Sequence, residues 1–135
     1  LNSLRHTFVE EIELITSSLD NAYIFFDPDR ARSVFENLIK NAIESCGDRD
    51  PDVEVEVIRD RRKQIRVYIR DRGDGINEGD LEKIFDPFYT TKIHGSGIGL
   101  AICHQFVRAQ NGNLKLYSRE GGGTVAEVIL PGESP

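Results

Sequence analysis

The chain has 135 residues, 39% of them hydrophobic and 30% charged, which suits one soluble domain with a real core. No apolar run approaches the roughly 20 residues of a membrane span, and the opening LNSLRHTF lacks the apolar stretch of a signal peptide. The formal net charge of −6 argues against non-specific nucleic-acid binding and disfavours a bare polyanionic ligand.

Residues 1–8 suit a helical stub. Ile12 and Leu14 alternate with Glu11 and Glu13, which predicts a strand over 11–16. A second short strand is expected within 21–26, from Tyr23 to Phe26. Asp27 and Pro28 then open a helix, Asp27 capping free N–H groups and Pro28 suiting the first helical position. Ala31, Val34, Phe35, Leu38, Ile39, Ala42 and Ile43 give that helix one broad apolar face, and Gly47 ends it. Val53, Val55 and Val57 alternate with Glu54 and Glu56. Ile65, Val67 and Ile69 alternate with Arg66, Tyr68 and Arg70. The two runs read as a hairpin joined through residues 60–63, with one face buried. A short helix is expected over 78–84 and a loop over 87–97. A second long helix follows over 98–110, with Ile102, Cys103, Phe106 and Val107 inward, closed by Asn111 and Gly112. Residues 114–117 and 124–130 make a final hairpin around 120–123. The sum is an α+β two-layer sandwich, a mixed and mostly antiparallel sheet with helices on one face. Cys46 and Cys103 fit no metal spacing and read as small buried hydrophobes in a reducing compartment.

Three stretches carry chemistry. On the first long helix Asn37, Asn41 and Glu44 form one polar stripe beside the apolar face. A neutral amide oxygen can ligate Mg²⁺ and an amide N–H₂ can meet phosphate oxygen. The same residues also suit the polar edge of any amphipathic helix. Asp71 ends a strand and runs into Arg72-Gly73-Asp74-Gly75. Pointing inward, its carboxylate would accept from an exocyclic amine such as adenine N6. Gly73 and Gly75 would let the backbone approach the ring; an ordinary turn is the other reading. Gly95, Gly97 and Gly99 precede Leu100 at a helix start, where free N–H groups favour anions. The G-x-G-x-G spacing is neither a dinucleotide fingerprint nor a P-loop, and a flexible hinge is the alternative. Between the last two stretches lies FDPFYTTK, with Phe85 and Phe88 as apolar anchors and Thr90, Thr91 and Lys92 beyond them. Lys92 could reach a phosphate or remain solvated.

In this order and spacing the stretches resemble the ATP-binding catalytic domain of sensor histidine kinases, within the superfamily of gyrase, Hsp90, histidine kinase and MutL. FENLIKNAIES is similar to the N box, DRGDGI to the G1 box, FDPFYTTK to the F box and GSGIGLA to the G2 box; GGGTVAEVILP is similar to the terminal glycine–threonine motif. The likeness runs from about Asp27 to Pro131. It implies a Bergerat-type ATP-binding fold over residues 1–135, with 1–10 readable as a remnant of the linker to a dimerisation domain. ATP with Mg²⁺ is the implied cofactor. Asn41 would be the metal ligand and Asn37 would flank it near the γ-phosphate, the two acting as the catalytic pair. Asp71 would read adenine, with Gly73, Gly75 and Ile76 shaping the base pocket. Gly95, Ser96, Gly97, Ile98, Gly99 and Leu100 would hold phosphates. Tyr89, Thr90, Thr91, Lys92 and onward to His94 would form the lid, and Thr124 would support Asp71 or the pocket floor.

Many members place a lysine where this chain has Glu44, so a phosphate cation would have to come from Lys40 or Lys92. His6, His94 and His104 lack the neighbours of a phosphoacceptor, and His104 is expected opposite the core. The resemblance therefore implies partners: ATP or ADP, a histidine-bearing dimerisation domain of the same parent, and a response regulator downstream. It implies neither nucleic-acid nor membrane contact, an isolated domain that is monomeric, and a cytoplasmic setting even if the parent is membrane-anchored. The alternatives are a serine or other protein kinase of the same superfamily, a non-catalytic nucleotide-binding domain, and an ATP-driven clamp ATPase. The clamp enzymes carry a glutamate as general base where Asn37 stands, and an amide cannot take a proton at neutral pH. Glu36 lies about 100° round the helix and should point elsewhere.

Overall fold

A computed structural model of the chain describes residues 12–16, 23–24, 28–81, 83–85 and 98–133. Strand β1 (Ile12–Thr16) and the short β2 (Tyr23–Ile24) precede helix α1 (Pro28–Ser45). Strands β3 (Val53–Arg59) and β4 (Ile65–Asp71) follow, then a 3-10 turn (Glu78–Asp80) and helix α2 (Ile98–Ala109). Strands β5 (Asn113–Ser118), β6 (Thr124–Leu130) and β7 (Gly132–Glu133) end the described chain. The expected helical stub, the Asp27 cap, residues 25–26 of the second strand and the loop from 87 to 97 lie outside the described residues.

Five strands form one sheet in the order β1-β3-β4-β6-β5. β1 runs parallel to β3, Ile12 opposite Val53 and Thr16 opposite Val57. Every other neighbouring pair is antiparallel, so the sheet is mixed and mostly antiparallel, as expected. β7 adds a second, two-stranded ladder with β2, Tyr23 facing Glu133 and Ile24 facing Gly132. The 3-10 turn replaces most of the helix expected over 78–84. Asp80 N–H donates to Asn77 O and Lys83 N–H to Asp80 O, both at 2.9 Å, and these three-residue closures never develop into a helical ladder. Gly79 and a run of a few residues cannot offset the cost of nucleating an α-helix.

The period-two pattern of β3 and β4 sends Val53, Val55, Val57, Ile65, Val67 and Ile69 to the buried face. Against it lie Val34, Phe35, Leu38, Ile39 and Ala42 of α1 and Cys103 and Val107 of α2. Each such aliphatic side chain contributes about 1.5–3 kcal/mol through burial. α1 stops where expected: Gly47 takes φ +62 and its N–H donates to Glu44 O at 3.0 Å. α2 closes at Asn111, φ +61, with Gly112 N–H on Val107 O at 3.0 Å. Both cysteines are free and buried, and burial pushes the Cys103 thiol up to about 12, which keeps it inert.

The other face of the sheet carries ion pairs. Arg70 donates to Glu54 at 2.6 Å and to Glu56 at 2.7 Å. Arg66 donates to Asp60 at 3.0 Å and to Glu127 at 2.9 Å. The Arg70 guanidinium also lies 4.8 Å from the centre of the Tyr68 ring. Burial and the Glu127 carboxylate hold the Tyr68 phenol above its ordinary range. These pairs order the exposed face and contribute modestly to stability, because both partners give up water. The weight of the fold rests on the helix–sheet seam. Ile39→Ala, in the middle of that seam, is expected to cost about 2–5 kcal/mol in urea denaturation, whereas Tyr117→Ala on the exposed face should change stability by about 0.5 kcal/mol or less. Similar losses for the two would contradict this division.

Candidate nucleotide site

The alternation that buries Ile65, Val67 and Ile69 carries on one step further and buries Asp71, which is 4% exposed at the end of β4. A carboxylate in that place requires donors, and three converge on its Oδ1. Gly73 N–H donates at 2.8 Å, Thr124 N–H at 3.2 Å and the Ser45 hydroxyl at 3.2 Å. They come from the loop after β4, from the start of β6 and from the last turn of α1, so one oxygen atom ties three elements together. The second oxygen, Oδ2, takes none of these three bonds. Burial raises the Asp71 carboxyl above its ordinary 3.8, while the three donors and the nearby Arg119 work against that rise without cancelling it.

Close backbone approach makes this cluster possible. A Cβ at Gly73 would land on the Ser45 hydroxyl. Gly123 takes φ +106, and a Cβ there would strike the Asp71 carbonyl oxygen, so only glycine lets β6 bring Thr124 N–H to the carboxylate. Arginines brace the rim. Arg49 donates to Asp74 Oδ1 at 3.1 Å and to Cys46 O at 3.0 Å. Arg72 donates to Glu120 O and Gly122 O at 3.0 and 3.1 Å, and Arg119 to Asp71 O at 3.2 Å.

Two turns earlier on α1, Asn37 is half-buried and its amide donates to Ser33 O at 2.8 Å. Its Oδ1 faces α2, 3.3 Å from where a Cβ at Gly99 would stand. The polar stripe of α1 is thereby set against the first described turn of α2, at Ile98, Gly99 and Leu100. The Leu100 side chain packs on the core. Asn41, half-buried, lies on α1 between Asn37 and Ser45. Gly75, φ +78, and half-buried Ile76 continue the loop from Asp71. Tyr89, Thr90, Thr91, Lys92, Gly95, Ser96 and Gly97 lie outside the described residues, as do His6 and His94.

Several expectations change. The third member of the α1 stripe that reaches the loop is Ser45, not Glu44. Glu44 is exposed and lies 3.9 Å from the Lys40 ammonium, itself largely solvated. Lys40 therefore sits on the solvent side of α1. Ser45 had a signal in the sequence: it stands four residues after Asn41 and eight after Asn37, on the same helical face. Thr124 does support Asp71, through its backbone N–H. His104 is not opposite the core. Its ring stacks on Phe85 at 4.4 Å between centroids, and Phe85 is itself packed against the core. Glu36 points elsewhere, as expected, taking Arg32 Nε at 2.7 Å on the exposed side.

The sequence model of the family described as histidine kinase-, DNA gyrase B-, and HSP90-like ATPase matches residues 26–134. The chain belongs to this family. Among relatives, the sensor histidine kinase ZraS of Salmonella typhimurium is 38% identical over 105 residues, 78% of this chain and 22% of that protein. The sensor protein kinase WalK of Staphylococcus aureus is 37% identical over 134 residues, 94% of this chain and 31% of that protein. The chain thus spans less than a third of either. The nucleotide-free catalytic domain of histidine kinase ThkA superimposes with a TM-score of 0.81 at 29% identity, covering 96% of this chain and 88% of that one. Family, fold and the four sequence boxes agree. Among the described residues no helix is long and apolar enough to cross a membrane.

The electrostatics of Asp71 have a measurable sign. A carboxyl held above its unfolded value binds protons more tightly in the folded state, so its contribution to stability is full below about pH 3.8 and is lost as pH rises through the raised folded value. Asp71→Asn keeps an acceptor for all three donors and removes the charge. Without nucleotide the variant should be at least as stable as the parent at neutral pH, with a flatter stability profile across the acid range. A urea series against pH checks this, and a variant that is less stable at neutral pH would contradict it.

Proposed function

We propose that the chain is the ATP-binding catalytic domain of a sensor histidine kinase, passing the γ-phosphoryl group of ATP to a histidine on a separate dimerisation domain. The observation that carries the reading is the buried Asp71, whose Oδ1 takes three donors and whose Oδ2, which takes none of those three among the described residues, would accept from an exocyclic amine. That suits adenine, which offers N6–H₂, and not guanine, which offers the O6 acceptor. Gly73, Gly75 and Ile76 would line the base, while Gly99 and Leu100 would turn N–H groups toward phosphates at the start of α2.

Among the described residues no group of three histidines, cysteines or carboxylates could hold a metal. An ion carried in largely by phosphate oxygens fits that donor set, with Asn41 adding one neutral amide oxygen. Mg²⁺ bound there would neutralise phosphate charge. The chain's own residues would supply position: Asn37 held rigid by Ser33 O, α2 docked on it at Gly99, and the base fixed at Asp71. The imidazole and its activating acid would come from the dimerisation domain, and the phosphoryl group would pass onward to a response regulator.

A clamp ATPase needs a general base beside the γ-phosphate. Asn37 cannot serve, and the neighbouring Glu36 is held by Arg32 on the exposed side. The histidine kinase names of the relatives favour phosphotransfer over hydrolysis.

The structure also selects the informative variant. Asp71→Ala would strand three donors. Asp71→Asn cannot flip its amide without setting its N–H₂ against Gly73 N–H and Thr124 N–H, so it must present N–H₂ where Oδ2 stood. ADP affinity should fall by about tenfold or more, and the preference for ADP over GDP should shrink or reverse. Calorimetry showing parent-like ADP binding by Asp71→Asn would refute the base assignment.

The transfer itself is tested with radiolabelled ATP. The chain alone should acquire no acid-labile label, and a supplied histidine hairpin from the parent protein should become labelled in its presence. Transfer in trans should be slow, since a linker that raises effective concentration to the order of mM is missing from the mixture. Acid-labile label on the chain alone, or steady phosphate release at the rate of a dedicated ATPase, would overturn the proposal.

A further inference from the structure

We propose that Ser45 is a positioning residue for base recognition: by holding Asp71 Oδ1 it fixes the plane of the carboxylate and turns the other oxygen toward the base, and so contributes to the choice of adenine over guanine. The inference rests on the nucleotide-binding reading above and names a residue that acts within that site through Asp71.

Ser45 is the last residue of α1 and touches the loop after β4 from both of its polar ends. Its hydroxyl donates to Asp71 Oδ1 at 3.2 Å. Its carbonyl accepts Asp74 N–H at 3.2 Å and Arg49 at 3.4 Å, and Arg49 in turn reaches Asp74 Oδ1. Gly73 is pressed so closely on Ser45 that it has no room for a side chain. Three of the four residues from Asp71 to Asp74 therefore register on this one serine.

The terminal torsion of aspartate is soft, so a carboxylate can turn its plane away from a ligand unless its donors hold it. Two of the three donors on Oδ1 are backbone groups from β-structure and its loop. Ser45 supplies the third, and it alone connects the carboxylate to the helix bearing Asn37 and Asn41. Its hydroxyl also favours the ionised form of Asp71, since donation to a carboxylate stabilises the charge. The charged groups around Asp71 are few. Arg119 comes from the end of β5 and donates to the Asp71 carbonyl. Arg49 follows α1 and is paired with Asp74 of the loop itself. Arg72 is directed at the carbonyls of Glu120 and Gly122.

The test is titration calorimetry of the parent chain, Ser45→Ala and Asp71→Asn with ADP, and with GDP by competition, over about pH 4.5–7.5. Ser45→Ala should lose about three- to tenfold in ADP affinity, the effect of a single hydrogen bond, with GDP affinity changing less. Its loss of binding toward acid should also set in at higher pH than in the parent, because Asp71 protonates more readily without the hydroxyl. The groups on the ligands titrate identically with each protein, so the displacement belongs to the protein. Should Ser45→Ala melt early, Ser45→Cys fills the same place with a weaker donor and gives the same readouts. An ADP loss matched by GDP, no loss at all, or an acid limb that stays where the parent has it would overturn the proposal. A parent chain with no preference for ADP over GDP would instead overturn the nucleotide reading, which the parent and Asp71→Asn arms measure independently of Ser45.

Discussion

A buried carboxylate at the end of a strand is the constraint around which this domain is organised. Asp71 is carried inward by the same alternation that buries Ile69 and Val67, yet its carboxyl group is polar and cannot simply join the core. The fold answers with donors from three directions on one oxygen. Each donor imposes a condition of its own. Gly73 must lack a side chain to lie on Ser45, Gly123 must take a left-handed conformation to pass the Asp71 carbonyl, and α1 must end at Ser45. Burial still leaves the carboxyl above its ordinary range, so the folded state bears a cost there. Such costs concentrate at functional sites.

The helices divide the remaining work. The C-terminal half of α1 runs along the site, with Asn37 near the helix middle and Ser45 at its end, and α2 is docked on it where Gly99 faces Asn37. Because Leu38, Ile39 and Ala42 of α1 are buried against the sheet, the polar residues between them cannot shift without disturbing the core. Rigid placement of this kind is what a site needs when its contribution is position and charge neutralisation. The outer face of the sheet solves a different problem. Arg66 and Arg70 each take two acidic partners, so a charged and half-buried surface holds together with no helix of the described residues over it.

Local pattern was legible wherever one physical period dominated. The apolar face of α1, the alternation of β3 and β4, the stops at Gly47 and at Asn111-Gly112, and the final hairpin all follow from side-chain periodicity and from the few residues that accept a positive φ. The order and spacing of the four boxes were legible in the same way, and they were enough for the family resemblance. Asn37, Asp71 and Thr124 were singled out before any geometry was known; the structure places Asn37 midway along α1 and brings Asp71 and Thr124 together at its C-terminal end.

Tertiary structure decided what no local period encodes. Whether Asp71 ends in a turn or in a bonded cluster depends on Thr124, 53 residues away, and on α1 arriving from the other side. Helical spacing placed Asn37, Asn41 and Glu44 on one polar stripe; that Ser45 is the residue of α1 that bonds Asp71 followed from how the helix meets the β4 loop. The short helix expected over 78–84 reduced to a 3-10 turn because too few residues shared a buried face to support nucleation. His104 turned inward because Phe85, distant in sequence, offered it a ring to stack on. What the sequence by itself determined were the elements and the family, since both rest on short-range spacing. Which polar groups meet was settled only when the sheet closed, since hydrogen-bond partners are chosen by three-dimensional proximity.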